Sequence, residues 1–368
     1  MTGRTDRDLL LGALRDPLCL GRLEIHAWSE LLPAARRAGV LARLAHLTQQ
    51  RGVDDALPPR ARQQLAAARP LAEQHARILR WEVSRIRDAL SALDVRLVLL
   101  KGAAYVLAGL PAGRGRLASD VDVLVPRGRI AEVERALLAR GFRSMKLHPY
   151  DQRYYRTWSH ELPPLRHERR RSVVDVHHTI LPLTGRVHPD PEKLLAAAEP
   201  LAEPGLWVLS PEDLVLHSAT HLFQDGDLGG GLRDLLDLDA LLRDFGERRS
   251  GFWSQLVPRA ESLGLTRPLY YSLRFCRRLL ETPVPESTWR AAEQAGRPPR
   301  PLPTLMDELV LRAVCPDRDD RRTPGAQAAR VVLYARSHWL RMPPWLLAYH
   351  LTRKALRAWV PDRDEAKA

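Results

Sequence analysis

The sequence has little cysteine and no long apolar run. Its three cysteines, Cys19, Cys276 and Cys315, are far apart and odd in number, with no CxxC pair. Neither a disulfide framework nor a zinc ribbon follows from that, and a reducing compartment is the natural setting. No stretch of about 18 apolar residues is present to span a bilayer, and Met1 to Asp8 lacks the uninterrupted apolar segment of a secretion signal. A cytoplasmic location is expected. Acidic residues are also in deficit, 44 Asp and Glu against 57 Lys and Arg. The net charge of +13 favours polyanionic partners such as nucleotides, nucleic acid or anionic lipid. Arginine dominates that charge, so coding bias and a solvated surface account for it equally well.

With 368 residues, 45% hydrophobic and 27% charged, the chain is ordinary for a globular protein of one to three domains. Residues 5 to 50 carry helical periodicity (Leu9, Leu10, Leu14, then Trp28, Leu31, Leu32, Ala35, Val40), and a long helix is expected from about Pro59 to Leu93. The pattern changes near Arg96. Leu97 to Leu100 reads as a strand, Gly102 as a turn into a short helix, and Asp120 to Val125 as a second strand. Ile130 to Arg140 reads as a helix closed by Gly141. The stretch from Phe142 to Pro164, rich in Tyr, His and Arg, fits strands or a loop; Arg166 to Arg171 fits a hairpin tip, and Ser172 to His177 a half-buried strand. From Pro191 onward the chain reads as almost wholly helical. One start is well signalled at Ser210-Pro211-Glu212-Asp213, and further helices are expected at 232–245, 252–263, 266–281, 286–295, 302–314, 326–339 and 343–359.

The candidate chemistry lies in Val98 to Val125. Alternation along a strand sends Val121, Val123 and Val125 into a core while Asp120 and Asp122 face outward together. Two adjacent carboxylates repel, and each raises the other's pKa unless a cation sits between them. Mg²⁺ suits such a site because it takes oxygen ligands from carboxylates and substrate phosphates. Just upstream, Lys101-Gly102-Ala103-Ala104 allows close backbone approach at Gly102, with the N–H groups of a new helix facing an anion.

This combination resembles the nucleotidyltransferase superfamily of the DNA polymerase beta type, in which a strand, a glycine turn into a helix, Asp-x-Asp on the next strand and a later third carboxylate recur. The matching parts here are Gly102, Asp120-Val121-Asp122 and Asp175 in Ser172-Val-Val-Asp-Val-His-His178. Within it, the chain is most similar to the bacterial uncharacterised nucleotidyltransferase family, which carries Leu-Lys-Gly, an arginine shortly before Asp-x-Asp (here Arg116) and a later Val-Asp-x-His strand, over roughly Trp28 to Leu242. One departure is Gly102-Ala103, where superfamily members commonly have Gly-Ser with a hydroxyl on the nucleotide phosphate.

The resemblance implies an α/β (α+β) core with a mixed sheet at 94–210, between an N-terminal helical cap at 1–93 and a large helical region at 211–368. It implies catalytic and metal-binding roles for Asp120, Asp122 and Asp175, with Mg²⁺ or Mn²⁺ as cofactor. Nucleotide contacts are implied for Lys101, Gly102, Ala103, Arg116 and Ser119. The activity would be transfer of a nucleoside monophosphate from an NTP to a hydroxyl or phosphate acceptor, a small molecule or RNA. Two other classes stay open. One is a toxin-like enzyme that modifies tRNA or a protein; the other is a degenerate module that binds nucleotide or a partner without turnover.

Three further features carry bland and functional readings side by side. His217 and His221 have the spacing of two metal ligands on one helical face, with Asp225 a turn on, but the glutamate of HExxH is absent. The resembled family tends to have a histidine in this helix followed by an arginine and an aspartate in the next, here Arg233 and Asp234 or Asp237, so the resemblance implies a structural or substrate-facing role. Gly229-Gly230-Gly231 lacks the ending of a P-loop and reads as a hinge. Trp339 to Trp359, with Arg341, Arg353, Lys354 and Arg357, reads as an amphipathic helix packed on the domain or, less simply, lying on an anionic membrane.

Overall fold

The computed structural model describes residues 6–118, 120–145, 148–224, 228–314, 324–349 and 352. Four helices come first: α1 (Asp6–Arg15), α2 (Ile25–Arg37), α3 (Leu41–Gln50) and the long α4 (Pro59–Leu90). The sheet region follows as β1 (Leu97–Leu99), α5 (Lys101–Leu107), β2 (Asp120–Leu124), α6 (Ile130–Ala139), β3 (Phe142–Ser144), α7 (Pro149–Trp158), β4 (Leu165–His167), β5 (Val173–His177), α8 (Pro191–Ala197), β6 (Glu199–Pro200) and β7 (Leu206–Val208). Helices α9 (Pro211–Gln224), α10 (Gly231–Arg248), α11 (Phe252–Ser262), α12 (Thr266–Leu280), α13 (Glu286–Gly296), α14 (Leu302–Ala313) and α15 (Pro324–Arg341) complete the described chain, with one more helical turn at 344–349.

The seven strands form one mixed sheet in the order β3-β4-β5-β2-β1-β7-β6. Its centre is apolar on both faces, since Val98, Leu99, Val123, Leu124, Val174 and Val176 are all fully buried. Burying each such side chain is worth about 1.5–3 kcal/mol, which fixes the register of the strands beside the site. A single apolar cluster runs from Leu9 in α1 through the sheet to Leu333 in α15. The α/β core with flanking helices agrees with the sequence reading.

Two elements differ from it. The region after Pro191 is not wholly helical, because Leu206-Trp207-Val208 forms β7 and pairs in parallel with β1 (Leu97↔Leu206, Leu99↔Val208). Three residues are too few to show a period, so only pairing reveals the strand. The Phe142–Pro164 stretch contains a helix, α7, where strands or a loop were expected. Pro149 occupies its first turn, and the His148 side chain accepts a hydrogen bond from the Tyr150 N–H. The C-terminal expectation at 343–359 lies mostly outside the described residues, as do Arg353, Lys354, Arg357 and Trp359. Among the described residues no helix is long and apolar enough to cross a membrane.

Candidate active site

β2 lies between β1, which it pairs antiparallel, and β5, which it pairs in parallel with Asp122 opposite Asp175. The end of β1 and the starts of β2 and β5 therefore meet on one side of the sheet. Asp120, Asp122 and Asp175 converge there, each offering a carboxylate oxygen within 4.8 Å of the others. Asp120 is exposed. Asp122 shares that face but is only 5% exposed, where the alternation suggested an outward-facing pair.

Asp122 faces an ammonium and an imidazole. Its Oδ1 lies 3.4 Å from Lys101 Nζ and 3.0 Å from His177 Nε2. Burial opposes its charge, but Lys101 and His177 outweigh burial and hold the carboxyl well below the ordinary carboxylate range. Lys101 reaches this position from a backbone φ of +43°. A lysine in the left-handed region is strained by roughly 1–3 kcal/mol, and such strain gathers at functional positions.

Asp175 behaves in the opposite way. Burial, Glu161 and Asp122 push its pKa up to about 7, and its Oδ1 is buried without a hydrogen-bond partner. An orphaned carboxylate oxygen facing two further carboxylates fits a cation ligand. Beside it stands α7, where burial, Glu161 and Asp175 push the Tyr155 phenol up to about 12. Burial also opposes charge on His177, yet Asp122 and Glu161 raise its pKa. His160 is held well below the usual histidine value by burial, with His177 and Lys101 adding to it.

The residues around the glycine turn have a different setting. A Cβ on Gly102 would stand 2.9 Å from Ala118 Cβ and 3.1 Å from Arg116 Nη1. Glycine is needed there for the approach of protein atoms, and Ala103 is 1% exposed. Arg116 is placed in a buried ion network, with its Nε donating to Asp237 Oδ2 at 2.7 Å and its Nη2 3.8 Å from Asp234 Oδ1. Burial opposes that charge, but Asp237 and Asp234 outweigh it and keep the guanidinium protonated. Arg43 donates to the other Asp237 oxygen at 2.7 Å. Ser119 lies outside the described residues.

His217 and His221 do not join either three-residue group that could hold a metal ion among the described residues; Asp225 lies outside them. His217 is buried, and His221 Nδ1 sits 3.8 Å from Asp234 Oδ2. Gly230 ends a 3-10 turn, and a Cβ on Gly231 would meet Leu228 at 2.9 Å, so packing explains this glycine. A cleft of about 470 Å³ between α3, α4 and the loop after α5 is lined by His46, Arg69, Arg77, Arg80 and Arg114 but by none of the three aspartates. Sequence reasoning missed His160, Glu161 and the pairing of His177 with Asp122. The His177-His178 doublet two residues after Asp175 was a usable signal; Glu161 offered none.

A sheet that brings three carboxylates from two adjacent strands beside a glycine turn defines a nucleotidyltransferase-type core. A family model described as "Uncharacterised nucleotidyltransferase" matches residues 26–281, and the chain belongs to that family. Membership supports nucleotidyl transfer as its general activity. No curated protein and no solved structure matches the chain.

Proposed function

We propose that the protein transfers a nucleoside monophosphate from an NTP to a hydroxyl or phosphate acceptor, with Asp120, Asp122 and Asp175 holding Mg²⁺ or Mn²⁺. The observation that carries this reading is the in-register opposition of Asp122 and Asp175, with Asp120 beside them and a carboxylate oxygen of each within 4.8 Å of the others. Divalent ions bound there would supply charge neutralisation for the triphosphate and its in-line placement. Lys101, 3.4 Å from Asp122, presents its ammonium to the same space and suits a phosphate contact. Asp175 either ligates one of the ions or accepts the proton of the attacking hydroxyl. Gly102, Ala103 and Arg116 act in this reading by packing the turn that carries Lys101. In this reading segment 94–210 performs the chemistry, and its Phe142–Pro164 stretch together with the C-terminal helices sets the acceptor.

The basic cleft favours a second reading of the acceptor as a polyanion such as RNA. Its lining holds Arg69, Arg77, Arg80 and Arg114 against the single acid Glu73. The deciding experiment titrates each NTP, with and without Mg²⁺, into wild-type protein and the Asp120→Ala variant, and follows pyrophosphate release with small hydroxyl compounds or RNA as acceptor. Metal-dependent binding and release that the variant loses support the reading. Nucleotide binding without release from any acceptor points to the degenerate module, and equal activity of the variant refutes the site.

A further inference from the structure

A nitrogen-bearing cluster adjoins the carboxylates and has no part in the reaction above. Residues 160–162 run antiparallel beside the end of β5. Glu161 bridges His177, the Leu162 N–H donates to the Val176 carbonyl at 2.9 Å, and the His178 N–H donates to the His160 carbonyl at 2.9 Å. This pairing brings His160, Glu161 and His177 together, each with a ligand atom within 4.8 Å of the other two. His177 Nε2 lies 3.4 Å from Glu161 Oε2 and 3.0 Å from Asp122 Oδ1. The rings of His160 and His177 are 5.2 Å apart, and the Nδ1 atom of each is buried with no hydrogen-bond partner.

We propose that His160, Glu161 and His177 form a binding site for a divalent transition-metal ion of the zinc type, separate from the carboxylate site for Mg²⁺. Ligand atoms arranged tetrahedrally at roughly 2.0–2.1 Å from one ion stand about 3.4 Å apart, the separation that His177 Nε2 and Glu161 Oε2 already have. Two imidazoles and one carboxylate select zinc-class ions, whereas Mg²⁺ takes oxygen ligands. Asp122 Oδ1, 3.0 Å from His177 Nε2, links this site to the three aspartates. A histidine clamped between Asp122 and Glu161 as a plain ion pair accounts for the two short distances. It leaves the buried His160 nitrogen without a partner, a cost of about 1–3 kcal/mol that a metal ligand avoids. The site stands whether or not nucleotidyl transfer is the activity.

The test uses tag-free, chelator-treated protein titrated with Co²⁺, read by the visible absorption of tetrahedral cobalt with nitrogen ligands. One equivalent should develop the band, and Zn²⁺ should displace it. The band should vanish in His160→Ala and in the nearly isosteric Glu161→Gln and survive in Asp175→Asn, with unchanged far-ultraviolet circular dichroism reporting an intact fold. No band in the wild-type protein overturns the proposal. So does a band that survives in His160→Ala and Glu161→Gln but is lost in Asp175→Asn, which would place the ion on the aspartates.

Discussion

Arg116 Nε lies 2.7 Å from Asp237 Oδ2, tying the loop that leads into Asp120 to helix α10, 121 residues further along the chain. Arg43 of α3 holds the other oxygen of the same carboxylate. One buried aspartate thus joins the N-terminal helices, the sheet region and the C-terminal helices. Removing one partner of a buried ion pair strands the remaining charge, at roughly 3–5 kcal/mol. Asp237→Asn should lower unfolding free energy by about that much in urea, and Arg116→Lys should recover little, because an ammonium lacks the planar fork. A loss under about 1 kcal/mol would mean that the network is solvated and does not join the three parts.

The two aspartates of β2 should separate activity from stability. Asp120 is exposed, and a surface substitution of this kind moves stability by about 0.5 kcal/mol or less. Asp120→Ala should therefore melt like the wild type while transfer falls by about a hundredfold or more. Asp122→Ala should lose both, because Lys101 and His177 are left facing each other without their shared carboxylate. Parallel melting curves and initial rates for the two variants check this; equal melting would show that Asp122 is not an internal counter-ion.

Asp175 supplies a pH dependence. Its folded-state pKa of about 7 stands above the ordinary 3.8, so the folded protein binds the proton more tightly than the unfolded chain does. Stability without metal is fully present below the unfolded value and is lost as pH rises through the window between the two. In chelator, Asp175→Asn should match the wild type near pH 4 and melt roughly 2 °C or more above it near pH 8. Adding Mg²⁺ or Mn²⁺ should reverse that order. A difference independent of pH would show that the carboxyl does not titrate in this range.

Much of this site could be read from local pattern. The alternation around Asp120 and Asp122, the glycine turn and the Asp175 strand each depend on a few neighbouring residues, whereas the placing of Asp122 opposite Asp175 is a matter of strand pairing. What escaped the sequence depends on distant partners. β7 is visible only through its pairing with β1, and the Arg116–Asp237 pair spans 121 positions. The burial of Asp122 follows from which elements cover β2, which alternation does not encode. His160 and Glu161 gain meaning only from their register against His177.

Gly102 should tolerate no side chain. An added Cβ would meet Ala118 Cβ at 2.9 Å and Arg116 Nη1 at 3.1 Å, so the turn or the buried arginine must shift. Overpacking of this kind is worth about 1–3 kcal/mol, and the shift would also move Lys101. Gly102→Ala should lose stability in that range and bind NTP more weakly. Unchanged binding alongside the stability loss would separate the turn from the nucleotide site.

The basic cleft can be tested as the place where an RNA acceptor lies. Arg77 and Arg114 are exposed on its walls, whereas Arg69 is paired with Asp54 at 2.6 Å and Arg80 donates to the Val106 carbonyl at 3.3 Å. The first two are therefore the ones to change. If both meet phosphates, the double variant Arg77→Glu/Arg114→Glu should weaken single-stranded RNA binding across all sequences. It should also flatten the salt dependence of log K by about 0.7 for each phosphate that is no longer neutralised, about 1.4 for the pair. Filter binding over a range of KCl concentrations measures that slope. A slope equal to that of the wild type would move the polyanion surface elsewhere and leave a small hydroxyl compound as the better acceptor.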